Sequence, residues 1–293
     1  MTDVVELSFD MPAIGDSNSV RDLLINILAA LLWAILGAGF YRYVYTPVRR
    51  SRTVLSRILP YDFGSPVTIC YGILPPQAGS VYYTVEEGDL AAINHAGSTI
   101  TAQYNRSGVH TVSHHVAQAN LAELPNILSI SGPKWNHVTE MMIGRLGSPI
   151  SFDETDALIV QRSGSPTADE YRAVRGSDGD EQICFGFICA GETTTATGRR
   201  QRVVVCAGLN TLSTYGAVVF LMSLGQAFSF RSHPGLARAR AGKRWAVLLK
   251  VENTSNSTRT TATRSPIDPN QVAIEVVSVL TDADFTPPYV YRF

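Results

Sequence analysis

The chain has 293 residues, a formal net charge of −1 and 45% hydrophobic residues. A near-neutral balance argues against a dedicated nucleic-acid binder, which carries a basic excess, so no nucleic acid is expected as a partner. Its four cysteines, Cys70, Cys184, Cys189 and Cys206, lie in apolar runs without the spacing of a zinc knuckle, so they read as buried reduced thiols; no metal or cofactor is expected.

The stretch Leu23 to Tyr41 contains no charged residue. At about 1.5 Å rise per residue it crosses most of a hydrocarbon core about 30 Å thick. A signal peptide would begin with basic residues, yet the first twenty positions carry Asp3, Glu6, Asp10 and Asp16 and no Lys or Arg. A soluble core helix would show a polar stripe, and Asn26 is the sole strongly polar side chain of the run. The expected order is an acidic extracytoplasmic leader (1–20), a transmembrane helix (21–43), a basic juxtamembrane linker (44–65) and a cytoplasmic α/β domain (66–293). Orientation follows from Arg42, Arg49, Arg50, Arg52 and Arg57 after the span against Arg21 before it, which the positive-inside rule places on the cytoplasmic side. Ala29, Ala30, Ala34, Gly37 and Gly39 suit packing of one span against another copy, so a homo-oligomer through this helix is an expectation.

Beyond Pro66, Val67 to Ile73 reads as a short buried strand. Thr84 and Glu87 have the spacing of a capping box, predicting a helix from about Val85 to Tyr104. Val109 to Val112 and Asn126 to Ser131 are further strands. Pro133 suits a first helical position, predicting a helix over Lys134 to Leu146. Ile150 to Phe152 and Ala157 to Arg162 are candidate strands, Ser163 to Asp180 is loop around a short strand at Tyr171 to Arg175, and Gln182 to Ala190 is another strand. Arg202 to Ala207, a turn, and a helix over Leu212 to Phe228 capped by Thr211 or Ser213 repeat the strand-turn-helix phrase. Trp245 to Val251 and Val272 to Leu280 are strands within an antiparallel appendage or sheet edge (230–293). The fold class expected is thus α/β: a single transmembrane helix, then a mostly parallel, doubly wound, Rossmann-like three-layer domain with an antiparallel C-terminal edge.

In such sheets ligands bind beyond the carboxyl ends of the strands. Three strand ends carry glycine: Tyr71-Gly72, Ser131-Gly132 and Ala207-Gly208. If they are parallel neighbours they converge on one rim, with Lys134, Trp135, Asn136, Thr139 and Glu140 after the second and Asn210, Thr211, Ser213, Thr214 and Tyr215 after the third. Hydroxyls, amides, a lysine and aromatic rings suit a small anionic ligand with a stackable ring, although Ser, Thr and Asn are also the ordinary helix caps. His110, His114 and His115 cluster after a strand, and Glu86, Glu87 and Asp89 form a helix-start acidic group. No dinucleotide fingerprint, phosphate-loop lysine, nucleophile elbow or zinc-protease motif occurs.

Three functional readings follow. The first is a single-pass membrane-anchored domain that binds a nucleotide-like ligand through Gly72, Ser131, Gly132, Lys134, Asn136, Gly208, Asn210, Thr211, Ser213, Thr214 and Tyr215, as a sensor or effector. Its sensor or effector role is an analogy of architecture, not a motif. The second is a membrane-tethered hydrolase or glycohydrolase acting on a nucleotide or sugar, with Glu140 or Glu87 as acid/base. The third is a ligand-free scaffold that oligomerises through the apolar Leu212 to Phe228 helix.

Overall fold

The computed structural model describes residues 17–41, 59, 61, 64–76, 82–104, 108–155, 157–175, 181–195, 197–224, 244–253 and 272–285. The leader before residue 17, the linker arginines 42–57, the basic stretch 231–243 and the aromatic tail 287–293 lie outside the described residues, as does the expected end of the helix at Phe228. The chain divides into two compact units, Met1–Arg49 and Arg50–Phe293.

Among the described residues the first unit holds one helix, α1 (Ser17–Phe40). Its segment Val20–Phe40, 21 residues, is long and apolar enough to cross a membrane, and none of it is buried. A core helix of a soluble protein would bury one face; here Leu28, Leu32, Trp33 and Ile35 are all at least 60% exposed.

The second unit is a mixed α/β fold. In chain order it contains β1 (Val67–Tyr71), α2 (Glu87–Tyr104), β2 (Val109–Ser113), α3 (His114–Ala119), β3 (Asn126–Ile130), α4 (His137–Leu146), β4 (Ile150–Phe152), β5 (Leu158–Val160), β6 (Asp169–Tyr171) and β7 (Val174–Arg175). It continues with β8 (Glu181–Thr194), β9 (Arg200–Gly208), α5 (Thr211–Ser223), β10 (Trp245–Asn253) and β11 (Val272–Thr281). The main sheet runs β11-β10-β8-β9-β3-β1-β2, with β7 also paired to β8, and β4-β5-β6 form a small second sheet.

The pairings β1–β2, β1–β3 and β3–β9 are parallel. Those of β9–β8, β8–β10 and β10–β11 are antiparallel. The C-terminal hairpin is therefore an antiparallel edge, but the sheet is mixed, not mostly parallel. The reason lies in β8: a short turn around Thr195, Thr197 and Gly198 (φ 79°) returns the chain directly into β9, and a tight turn joins only antiparallel strands.

Alternation along the strands sends side chains to two cores. On one face Ile69, Leu128, Val204 and Val247 pack under α2 and α5. On the other, Cys70, Ile127, Val203, Val205 and Leu248 pack with α3, α4 and the small sheet. The all-round apolarity of α5 is explained by this placement, since Val218, Leu221 and Met222 are buried within the unit.

Several boundaries move, each for a local reason. Backbone bonds between Thr84 and Leu74 in both directions already use the N–H that the expected capping box needs, and α2 starts at Glu87. Asn136, not Pro133, starts α4: its side chain accepts from the N–H groups of Val138 and Thr139, while 133–135 form a turn. Asn210 and Ser213 form a reciprocal capping box on α5, each side chain taking the other's backbone N–H. The single strand expected at Tyr171 to Arg175 is two, β6 and β7, in different sheets.

Candidate functional site

The glycine-ended strands β1, β3 and β9 are adjacent and parallel in the order β1-β3-β9, so their carboxyl ends share one rim. Over that rim opens a cleft of about 720 Å³, within the range of small-molecule sites. Three helices start around it. Its lining takes Glu86 and Asp89 from the start of α2, Gly132 to Trp135, His137 and Glu140 from the β3–α4 turn and the start of α4, and Gly208 to Thr211 with Thr214 from the β9–α5 turn. Phe152, Asp153 and Glu154 complete the lining from the end of β4.

The close approach of the helix starts rests on glycine. A Cβ on Gly88 of α2 would sit 2.7 Å from Thr211 Cβ of α5, and one on Gly208 would sit 2.7 Å from the backbone nitrogen of Thr214. Both distances are below any tolerated carbon contact, so side chains there would push α2 and α5 from the rim.

Of the residues expected to bind a ligand, Gly132, Lys134, Gly208, Asn210, Thr211 and Thr214 line the cleft. The others lie beneath it. Gly72 is wedged under Trp135, its Cβ position 2.8 Å from the Trp135 carbonyl oxygen. Asn136 is fully buried and donates to the Ile130 carbonyl (2.7 Å), Ser129 Oγ (3.1 Å) and the Cys70 carbonyl (3.3 Å). Ser213 is committed to the Asn210 cap, and Tyr215 is buried against the α2 side of the core. Of the two acid/base candidates, Glu140 is a lining residue, 70% exposed, with Oε2 3.6 Å from His137 Nδ1. Glu87 is exposed on α2 and is not a lining residue. Helical geometry separates them: Glu86 and Asp89, three apart, share the face turned to the cleft, and Glu87 is rotated about 100° from Glu86.

Ser131 follows β3 at φ 92°, in the left-handed region and fully buried. Among the described residues it is the one non-glycine with positive φ. Holding a serine there costs about 1–3 kcal/mol, and such outliers concentrate at binding sites. The conformation directs its hydroxyl to Asp89 Oδ2, to which it donates, while Oγ also accepts from the Gly72 N–H (3.4 Å). Behind it, Thr139 Oγ1 donates to the Ser131 carbonyl (2.8 Å) and lies 2.8 Å from Ser129 Oγ. A buried polar network thus ties α2, β1, β3 and α4 together under the cleft.

Asp89 is the anomaly of the network. It is 5% exposed, and its Oδ1 is buried without a hydrogen-bond partner among the described residues. Burial, with the nearby Glu86 carboxylate adding to it and the Ser131 hydroxyl opposing it, pushes the carboxyl up to about 6. Asp153 is the opposite case: hydrogen bonds from the Thr155 side chain and the backbone of residues 155 and 157 hold it below the usual range, with Arg172 3.8 Å away.

Beside the cleft, His114, His115 and His137 cluster, His114 tilted against His115 with ring centroids 4.0 Å apart and edge-to-face with His137 at 5.5 Å. His114 is buried at the start of α3, and burial together with the two neighbouring rings lowers its basicity. His110 and His115 are exposed. No group of three His, Cys, Asp or Glu side chains among the described residues is arranged to hold a metal ion. Burial pushes the thiols of Cys70 and Cys189 up to about 12, which leaves them unreactive.

No family model, curated protein or solved structure matches the chain.

Proposed function

We propose that the chain is a single-pass membrane-anchored sensor or effector whose cytoplasmic domain binds a small anionic, nucleotide-like ligand in the cleft at the ends of β1, β3 and β9. The observation that carries this reading is the convergence of three helix starts, those of α2, α4 and α5, on one cleft that also presents Lys134 and the rings of Trp135 and Phe152. Helix starts favour negative charge, and the flat rings suit stacking of a base. In this respect the parallel half of the sheet serves as a doubly wound, Rossmann-like sheet does, with the ligand beyond the strand ends. The anchor is α1, with the arginine-rich side cytoplasmic; a C-terminal tag reachable by protease without opening the cells would reverse that orientation.

The ligand test is a thermal-shift screen of the full-length protein in detergent against nucleotides and phosphorylated metabolites. A ligand at 100 times its Kd stabilises the domain by about 2.7 kcal/mol, and a panel without any shift contradicts the reading. A hydrolase acting on a nucleotide or sugar is the second reading, favoured by one feature: a buried carboxyl in the cleft lining, Asp89, held by the Ser131 hydroxyl on one oxygen and without a partner among the described residues on the other, with burial raising its pKa. Turnover of a bound nucleotide, lost in Asp89→Asn, would select it over a sensor.

A further inference from the structure

The cleft carries an electrostatic contradiction. Helix starts and Lys134 favour an anion, yet Glu86, Asp89, Glu140, Asp153 and Glu154 share the lining. A ligand that is negative throughout would meet those carboxylates. Asp153 is held by its own loop and Arg172, and Glu140 lies near His137. Asp89 differs: one oxygen is fixed by Ser131, itself held in a strained conformation, and the other has no partner among the described residues. Leaving a buried carboxylate oxygen unsatisfied is unfavourable, so the Oδ1 of a residue that lines the cleft calls for a partner from outside the described residues.

Resting on the nucleotide-like reading above, we infer that Asp89 is the specificity-determining residue of the cleft, its Oδ1 accepting a hydrogen bond from an N–H or O–H donor on the uncharged part of the ligand. The donor is the 2-amino group of a guanine base or the ribose 2′-hydroxyl. The ligand is thus polarised: phosphate toward Lys134 and the helix starts, a donor toward Asp89. A carboxylate in this place discriminates strongly, because an analogue lacking the donor leaves the oxygen unpaired.

The test is equilibrium binding of full-length protein in detergent to matched pairs: GMP against IMP, which lacks the 2-amino group, and each ribonucleoside 5′-monophosphate (of A, G, C and U) against its 2′-deoxy form. The wild type should favour the donor-bearing member of one pair by about 10- to 100-fold, the range for hydrogen bonds to charged groups. The pair that discriminates names the donor as base or ribose. Asp89→Asn, which keeps an acceptor for Ser131 but turns a donor toward the ligand, should bring both members of that pair to the weaker affinity; Asp89→Ser serves if the amide variant does not fold. Wild-type binding that distinguishes no pair, or a variant that weakens both members equally, overturns the inference and leaves the nucleotide reading standing. Failure of every nucleotide to bind wild type overturns both.

Discussion

Replacing Asp89 by Asn will change how stability depends on pH more than any other single substitution at the rim. The Asp89 carboxyl stands at about 6 in the folded chain against 3.8 when unperturbed. Because the folded value is the higher one, folding takes up a proton, so the protonated group favours the folded state below pH 3.8 and that advantage is lost as pH rises through 6. The difference amounts to about 3 kcal/mol by pH 7. Asn cannot ionise. The stability of the variant minus that of the wild type should therefore rise by about 2 kcal/mol between pH 4 and pH 7.5, read from denaturant unfolding at each pH. A difference that stays flat would mean Asp89 is not held as described. The same substitution is expected to weaken ligand discrimination, the usual opposition between a strained, unsatisfied site and stability.

Asn136→Ala is expected to destabilise the domain by about 3 kcal/mol or more. Loss of a cap costs about 1 kcal/mol, and each buried partner left unsatisfied adds about 1–3 kcal/mol. Here the amide caps α4 through Val138 and Thr139 and also reaches Ile130, Ser129 and Cys70, so β1, β3 and α4 lose a common tie. Binding should fall with stability, because Trp135 and His137 flank this residue and both line the cleft. Unfolding free energy within 1 kcal/mol of wild type would show that the network does not hold the rim.

Much of this site was legible in the sequence, for a definite reason. Continuous apolar runs mark buried strands; Val67 to Tyr71 and Arg202 to Ala207 run directly into glycine, and Asn126 to Ile130 does so after Ser131. What sequence patterns do not carry is the direction a side chain takes after the turn. Asn136, Ser213 and Tyr215 follow the glycines as Lys134 and Thr211 do, yet they turn inward, two as caps and one into the core. The acidic group at α2 was visible as a group, but choosing Asp89 over Glu87 needs the helical phase relative to the sheet, which only packing sets. Phe152, Asp153 and Glu154 reach the rim because β4 belongs to a separate small sheet, a placement with no local signal. The β8–β9 pairing was missed because a buried apolar strand reads alike in parallel and antiparallel settings.

The central claim is that the rim of β1, β3 and β9 is a ligand site, and hydrogen exchange of the full-length protein in detergent tests it most directly. With the best-binding nucleotide from the screen at saturation, amide protection should rise in peptides covering 86–90, 131–140 and 208–214, with the strands β10 and β11 unchanged. Protection confined to other segments, or none at saturation, would contradict the account.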